Sequence, residues 1–515
     1  MKKENFQKLA KNKVTLILLL ILLIAFFIRV SLIKVNTAEW WDSADYMTSA
    51  KEFAGKVDLD TYEINPRRPF FLMILWGSIL GLGLGDVAMR FSVIVFALLG
   101  IYFTYLIGKK MFNEYAGLIG AFLLAVNWLH IFHSVRLLTD IIAMTWWLVT
   151  AYYFWKYLDE DKGKYLVLSG VFFGFTVFTR AASLIMIVPM LAALFFKEKF
   201  NIVKNKNAWL AVLMVFLVMS PFIIWLFATY DNPVEKFTGI GGGEQRFAGR
   251  WQFSYLWKNL PAVSTTILSP ELTQSSAMFY GVLFILITLY LLWDVFLGFD
   301  ILWKEGSKDL LKKLYLLVWI GMPYVFYSLA GAGVEHRYLI SMFPAMFILF
   351  GDGLVRLGNL LSKKWKYLGL ILILVVILPI GYSNYKYGVS LTVAKSSSYA
   401  EVALAGQWIR ERSTPEDNVI SASVFQNMYY SERNTHPFVG RGMDKENETL
   451  FLERLEEINP KYVVISVYEP AFTPQWAYSF PQKYSQLLKP VQAYLDQNQN
   501  PILVIYEYNG SGQKS

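Results

Sequence analysis

The chain has 515 residues, of which 55% are hydrophobic and 17% aromatic, with a net charge of +9 and no cysteine. Runs of Leu, Ile, Val and Phe over most of that length are membrane-protein composition, and the lack of cysteine excludes disulfides, thiolate metal sites and cysteine nucleophiles. The positive charge sits on lysines in short connectors between apolar runs, which fits the cytoplasmic bias of membrane loops and excludes a nucleic-acid-binding stripe.

The first apolar run, Val14 to Leu32, is too long for a signal-peptide core and lacks a small-residue cleavage site, so it is expected to remain as a helix. Lys2, Lys3, Lys8, Lys11 and Lys13 before it assign the N-terminus to the cytoplasm and its exit to the outside. Glu39-Trp40-Trp41-Asp42-Ser43-Ala44-Asp45-Tyr46 follows, placing carboxylates where a membrane helix meets water, a costly position unless the charge is used. Asp45 to Phe53 predicts a short amphipathic helix along the membrane surface.

Phe70 to Gly85 is apolar but short and broken by Gly77, Gly81, Gly83 and Gly85. Read as a re-entrant or interfacial segment, it leaves every later lysine connector, from Lys109-Lys110 to Lys363, Lys364 and Lys366, on the cytoplasmic side. The next spans are then Met89 to Ile107, Tyr115 to Phe132, Asp140 to Tyr157, Tyr165 to Phe178, Ser183 to Phe196 and Ala208 to Thr229. Ala277 to Leu297, Leu314 to Ala330, Tyr338 to Val355 and Tyr367 to Tyr382 complete them. With the first helix this predicts a polytopic all-α membrane domain of about eleven transmembrane helices, residues 1–382, with a multi-pass cell-membrane location.

From Ser383 amphipathic stretches (Ala400 to Arg412, Glu448 to Ile458, Gln482 to Gln497) alternate with β-branched runs (Asn418 to Val424, Lys461 to Val467, Ile502 to Tyr508). Residues 383–515 therefore predict a small soluble α/β domain outside the cytoplasm.

This threading gathers Asp42, Asp45, Arg67, Arg68, Arg90, Arg136, Asp140, Arg180, Glu335, His336 and Arg337 at one membrane face. The opposite helix ends carry mostly lysine, a solvated point charge, whereas arginine offers a fork suited to phosphate. For any one of these residues the plain alternative is a helix-end charge snorkelling to the interface. Trp40 and Trp41 fit interfacial anchoring better than sugar stacking.

The loop Tyr230 to Ser276 contains Gly239-Ile240-Gly241-Gly242-Gly243-Glu244, Arg246 and Arg250, but no Gly-Lys-Ser/Thr follows and no strand precedes, so it is not a nucleotide P-loop. A lid or an unstructured connector both fit it. The four histidines form no pair at ligand spacing, which argues against zinc. Asn447-Glu448-Thr449 and Asn509-Gly510-Ser511 fit the glycosylation acceptor pattern, which recurs by chance.

Taken as an ordered set, Trp41-Asp42-Ser43-Ala44-Asp45-Tyr46, Arg67-Arg68-Pro69, Arg90-Phe91-Ser92, Arg136-Leu137-Leu138-Thr139-Asp140 and Arg337-Tyr338 with Pro344 resemble the signatures of GT-C membrane glycosyltransferases. The similar branch contains protein O-mannosyltransferases and lipid A aminoarabinose transferases, and the resemblance covers Val14 to Tyr382. It implies an inverting transfer of a single sugar, mannose-like or related, from a polyprenyl- or dolichyl-phosphate donor to a protein, glycan or lipid acceptor outside the cytoplasm.

Asp42 matches the family's first-loop aspartate, the expected catalytic base. Ser43 replaces the second acid of the family's Asp-Glu pair, leaving Asp45 as its substitute one helical turn away. Arg90, Arg136 and Arg337 match basic positions near the donor phosphate; Arg67 and Arg68 join them, and Asp140 matches the acid ending the second external loop. Glu335, His336 and Tyr46 are accessory candidates. Asp42, Asp45 and Asp140 are oxygen ligands suited to Mg or Mn, so a divalent metal taking part of the arginine role is left open and no cofactor is assigned. The alternatives are a transporter or flippase of lipid-linked sugars, against which the absence of a detectable internal repeat counts, and a non-catalytic scaffold.

Overall fold

A computed structural model describes residues 2–59, 70–233, 252–273, 289, 292–293, 295–305, 307–330, 335–363, 365–440 and 447–510, with side chains from Lys13 onward. Arg67, Arg68, the glycine run with Arg246 and Arg250, and most of the expected span Ala277 to Leu297 lie outside the described residues.

In chain order the helices are α1 (Lys2–Leu32), α2 (Trp41–Phe53), α3 (Phe70–Gly81), α4 (Asp86–Met111), α5 (Glu114–Val126), α6 (Trp128–Ser134) and α7 (Asp140–Glu160). There follow α8 (Gly163–Thr179), α9 (Ile187–Glu198), α10 (Lys206–Thr229), α11 (Ser254–Leu268), α12 (Lys308–Ala330), α13 (Phe343–Ser362) and α14 (Leu368–Ala394). Among the described residues seven helical stretches are long and apolar enough to cross a membrane, or eight if the bent pair α5–α6 is one span. The protein is a multi-pass membrane protein, mostly helical; of the expected spans, Asp140 to Tyr157 and Tyr165 to Phe178 form helices (α7 and α8) that are not among these seven.

Two features depart from straight rods. The expected span Tyr115 to Phe132 bends by 58° at Asn127, between α5 and α6. Asn127 caps α6 by accepting a hydrogen bond from the His130 backbone N–H at 3.1 Å, and donates to the Thr266 carbonyl at 2.8 Å and to Asn384 Oδ1 at 3.3 Å. Asn384 in turn donates to the Ile267 carbonyl at 3.1 Å, so two amides tie α11 and α14 to the break and satisfy the backbone it exposes. Second, 3₁₀ turns, Ala181–Met186 and His336–Met342, open α9 and α13, as at many functional breaks in helices.

Elsewhere small residues let helices touch. A Cβ on Gly170 of α8 would stand 2.4 Å from the Ala211 carbonyl of α10, and one on Gly108 2.6 Å from Gly117 Cα. Such close approach supplies the van der Waals packing that replaces hydrophobic drive in lipid.

After α14 come α15 (Ala400–Arg412), β1 (Asn418–Ser421), α16 (Val424–Ser431), β2 (Asn434–His436), α17 (Glu448–Ile458), β3 (Tyr462–Ser466), β4 (Leu488–Leu495) and β5 (Pro501–Tyr508). The sheet order is β2-β1-β3-β5-β4, with β2, β1 and β3 parallel and the β4–β5 hairpin antiparallel. Strand alternation feeds a core on each face. Ile420, Val463 and Ile465 pack with Phe451 and Leu455 of α17, and Val419, Tyr462 and Val464 pack with Val402, Ala405 and Ile409 of α15.

The chain divides into two compact units, Met1–Ile33 with Pro66–Phe71 and Val87–Thr392, and Lys34–Asn65 with Leu72–Asp86 and Val393–Ser515. The second unit joins the sheet to α2. Trp41 stacks on Phe472 and meets Phe425 edge-on, with centroids 5.1 and 5.0 Å apart. Lys51 of α2 bonds the Tyr429 carbonyl at 2.9 Å and Glu432 at 2.8 Å. The Glu39 backbone N–H donates to the Tyr430 hydroxyl at 2.6 Å.

Candidate active site

Within the membrane unit the charged residues converge on the first turn of α7. Asp140 is the first residue of that helix, where the macrodipole favours a carboxylate, and it is 2% exposed. Arg180, at the C-terminal end of α8, donates to it in a buried ion pair. The Arg180 guanidinium lies 5.3 Å from the Tyr338 ring and that of Arg337 lies 5.4 Å from the same ring. Tyr327 stacks on Tyr338 at 5.2 Å. A narrow cleft is lined here by Asp140, Arg180, Ser183, Tyr327, Tyr338 and Ser341, with Met144 and Trp147 among its apolar walls.

The cleft is held by contacts from several elements. Trp319 of α12 donates to the Ser341 carbonyl at 2.9 Å, and its ring meets Trp147 at 5.3 Å. Arg337 bonds Glu335 through Nε at 2.6 Å. Arg136 is buried with its guanidinium 4.3 Å from the Phe132 ring. The imidazole of His133 is buried within electrostatic reach of Asp140, Arg337, Arg136 and Arg180. Three arginines and two carboxylates, Asp140 and Glu335, thus share one neighbourhood, with a net positive charge suited to a phosphate group.

The structure brings Arg136, Asp140 and Arg337 together, along with Arg180. Arg90, in the same unit, donates to the Ile33 carbonyl at 3.2 Å, just past the end of α1. His336 bonds Thr265 at 3.1 Å and faces the Trp128 ring, so it supports α11 and α6. In the second unit Asp42 lies in the first turn of α2, partly exposed, with Tyr46 partly exposed one turn on and Asp45 fully buried.

Among the described residues no three His, Asp or Glu side chains gather as a set able to hold a metal ion. Asp140, one of the expected Mg or Mn ligands, is engaged by Arg180 instead.

Sequence reasoning passed over Arg29, His130 and His133. Arg29, fully buried in the last turn of α1, bonds His130 Nδ1 at 2.6 Å and the Ala125 carbonyl at 3.1 Å. The signal was present, since an arginine inside an apolar run marks a site or a buried partner by default.

Residues 66–225, less than half of the chain, match the model of the family described as dolichyl-phosphate-mannose-protein mannosyltransferase. A comparison with curated protein sequences finds no match. Among solved structures, ArnT from Cupriavidus metallidurans is similar in its apo state, with a TM-score of 0.66 at 14% identity over 96% of this chain and 98% of that one. The same protein bound to undecaprenyl phosphate is similar with a TM-score of 0.62 at 14% identity over the same shares. The oligosaccharyltransferase AglB of Archaeoglobus fulgidus, solved with an inhibitory peptide and a dolichol-phosphate, gives 0.59 at 15% identity over 98% of this chain and 75% of that one. At these identities the likeness establishes the fold.

Proposed function

For a chain that carries the GT-C fold and matches a mannosyltransferase family model over residues 66–225, we propose an inverting glycosyltransferase. It moves a single sugar, mannose-like or related, from a polyprenyl- or dolichyl-phosphate donor to an acceptor outside the cytoplasm. The N-terminus is cytoplasmic, while Asp42 and the sheet domain face the acceptor side.

The observation that carries this reading is the pairing of Arg180 with Asp140 in a membrane-domain cleft, with Arg136 and Arg337 in the same electrostatic neighbourhood. Breaking the bond between the anomeric carbon and the phosphate oxygen leaves growing negative charge on the lipid phosphate. Guanidinium groups already fixed in a poorly hydrated cleft stabilise that charge without reorganising. Asp140 orients Arg180 and offsets part of the positive field while the cleft awaits its donor. Asp42, partly exposed at the helix start, takes the proton of the acceptor hydroxyl as it attacks the face opposite the phosphate, a step that contributes ~100- to 10,000-fold.

The relatives of known structure support the donor class, since one holds undecaprenyl phosphate and another a dolichol-phosphate. A flippase would need ionisable groups near mid-membrane, and Arg29, the buried cation of α1, sits in that helix's last turn. The test is to incubate membranes containing the protein with a panel of radiolabelled lipid-phosphate sugars and follow the label. Transfer from one donor to a polymeric or lipid acceptor is expected. Label that crosses the membrane still attached to its lipid would support the flippase instead.

A further inference from the structure

The sheet of the second unit has a topological switch point that neither the fold nor the donor cleft explains. β1 leads through α16 to β2 on one side, and the chain then returns through α17 to β3 on the other, so the crossovers diverge at the carboxyl ends of β1 and β3. Open α/β sheets bind ligands in that crevice. Here it lies between the first turn of α16 and the segment after β3, and Trp41 is wedged there between Phe425 and Phe472.

The polar groups at this point are spare. Ser423 and Gln426 have the Ser-x-x-Gln spacing of a capping box, in which each side chain would satisfy the other's backbone N–H. The box is not made. Ser423 makes no side-chain cap, and its own N–H donates to Ser421 Oγ at 3.1 Å. Ser423 Oγ, both amide atoms of Gln426 and Asn427 Oδ1 are buried without a hydrogen-bond partner among the described residues, although Gln426 is 0% and Ser423 1% exposed. The Asn427 amide nitrogen is used, bonding Ser421 Oγ at 2.7 Å. Leaving such groups unpaired is costly unless something else completes them.

The geometry points to a carbohydrate-binding subsite at this crevice, built from Ser423, Gln426 and Asn427 in the same helix turn as Phe425, which meets Trp41. The spare set contains both a donor amide and the acceptor oxygens of Gln426 and Asn427. A phosphate or carboxylate, which only accepts, would be repelled by those oxygens, whereas a sugar hydroxyl donates and accepts at once. Phe472, 48% exposed, offers the apolar surface on which the C–H face of a pyranose rests. Entry requires Trp41 to swing off Phe425. The helix start it belongs to is not locked by a cap, because Trp40 makes no side-chain capping bond.

Since Asp42 follows Trp41 in the chain, a sugar seated here is the acceptor, or the part of it beside the reacting hydroxyl. That last assignment rests on the proposed transferase reading; the subsite itself does not.

The test uses the full-length protein in detergent on an array of immobilised oligosaccharides, with undecaprenyl phosphate binding and thermal melting measured in parallel. Wild type is expected to retain a subset of glycans. Gln426→Leu lowers that binding about tenfold or more, raises the melting temperature because an unpaired buried amide is gone, and leaves undecaprenyl phosphate binding unchanged. Phe472→Ala lowers glycan binding while the protein still melts cooperatively and binds undecaprenyl phosphate, and decides the matter if Gln426→Leu misfolds. Retention of no glycan by wild type, or equal binding by the variants, overturns the subsite. Glycan binding that behaves as expected in a protein with no sugar transfer keeps the subsite and removes only its role as the acceptor site.

Discussion

Asp140 and Arg180 show how much a single pair can determine. Their side chains are 2% and 18% exposed, so removing one partner strands the other in a poorly hydrated place. Arg180→Ala is expected to destabilise the membrane domain by about 3–5 kcal/mol, whereas the paired change to Asp140→Asn with Arg180→Gln costs less; thermal melts of the purified variants check the difference. A second residue-scale prediction concerns Glu52 on α2, whose carboxyl is pushed up to about 7 by burial and then by the nearby Asp58. A carboxyl raised above its unfolded value stabilises the fold at low pH and loses that contribution as pH rises through about 7. Glu52→Gln should therefore melt higher than wild type above pH 7 and converge with it only below about pH 4.5, as a melting series from about pH 4 to 8 would show. At this scale Asp140, Arg136 and Arg337 were legible because arginine and aspartate stand out at apolar helix ends. His133 was not, since a lone histidine in an apolar run reads as core until its neighbours are placed.

Helix existence was legible almost throughout, because hydropathy and length decide spans. What hydropathy cannot show is where a span breaks. Tyr115 to Phe132 reads as one segment, yet Asn127 turns it by 58° and begins α6, which holds His130 and His133. The polar side chain inside an apolar run was the available sign. Asn384→Ala removes partners of Asn127, the Trp128 N–H and the Ile267 carbonyl, leaving buried groups unpaired at about 1–3 kcal/mol each. It should lower the melting temperature and reduce sugar transfer together, whereas Asn384→Asp, able to accept the same two bonds, should restore part of both. The 3₁₀ turns that present Arg180 and Arg337 likewise have no hydropathy signature; their residues simply stay apolar past the bend.

For the molecule as a whole, the alternation of helices and β-branched runs after Ser383 was enough to expect an α/β domain, and the sheet realises it. The attachment of the first loop to that domain was not readable, because Glu39 and Tyr430 meet across 391 residues of sequence. Phe425 and Phe472 depend on Trp41 for cover. Residues 393–515 expressed alone should therefore aggregate or melt lower than a fusion that also carries residues 34–59, a difference that light scattering and calorimetry would register.

The transferase account turns on Asp42 as base and the arginine cleft as donor site, and these separate in one measurement: binding of the lipid-phosphate sugar and its transfer, followed side by side in purified wild type and Asp42→Asn. The account predicts donor affinity close to wild type with transfer lowered at least ~100-fold. Transfer by Asp42→Asn at the wild-type rate would contradict it.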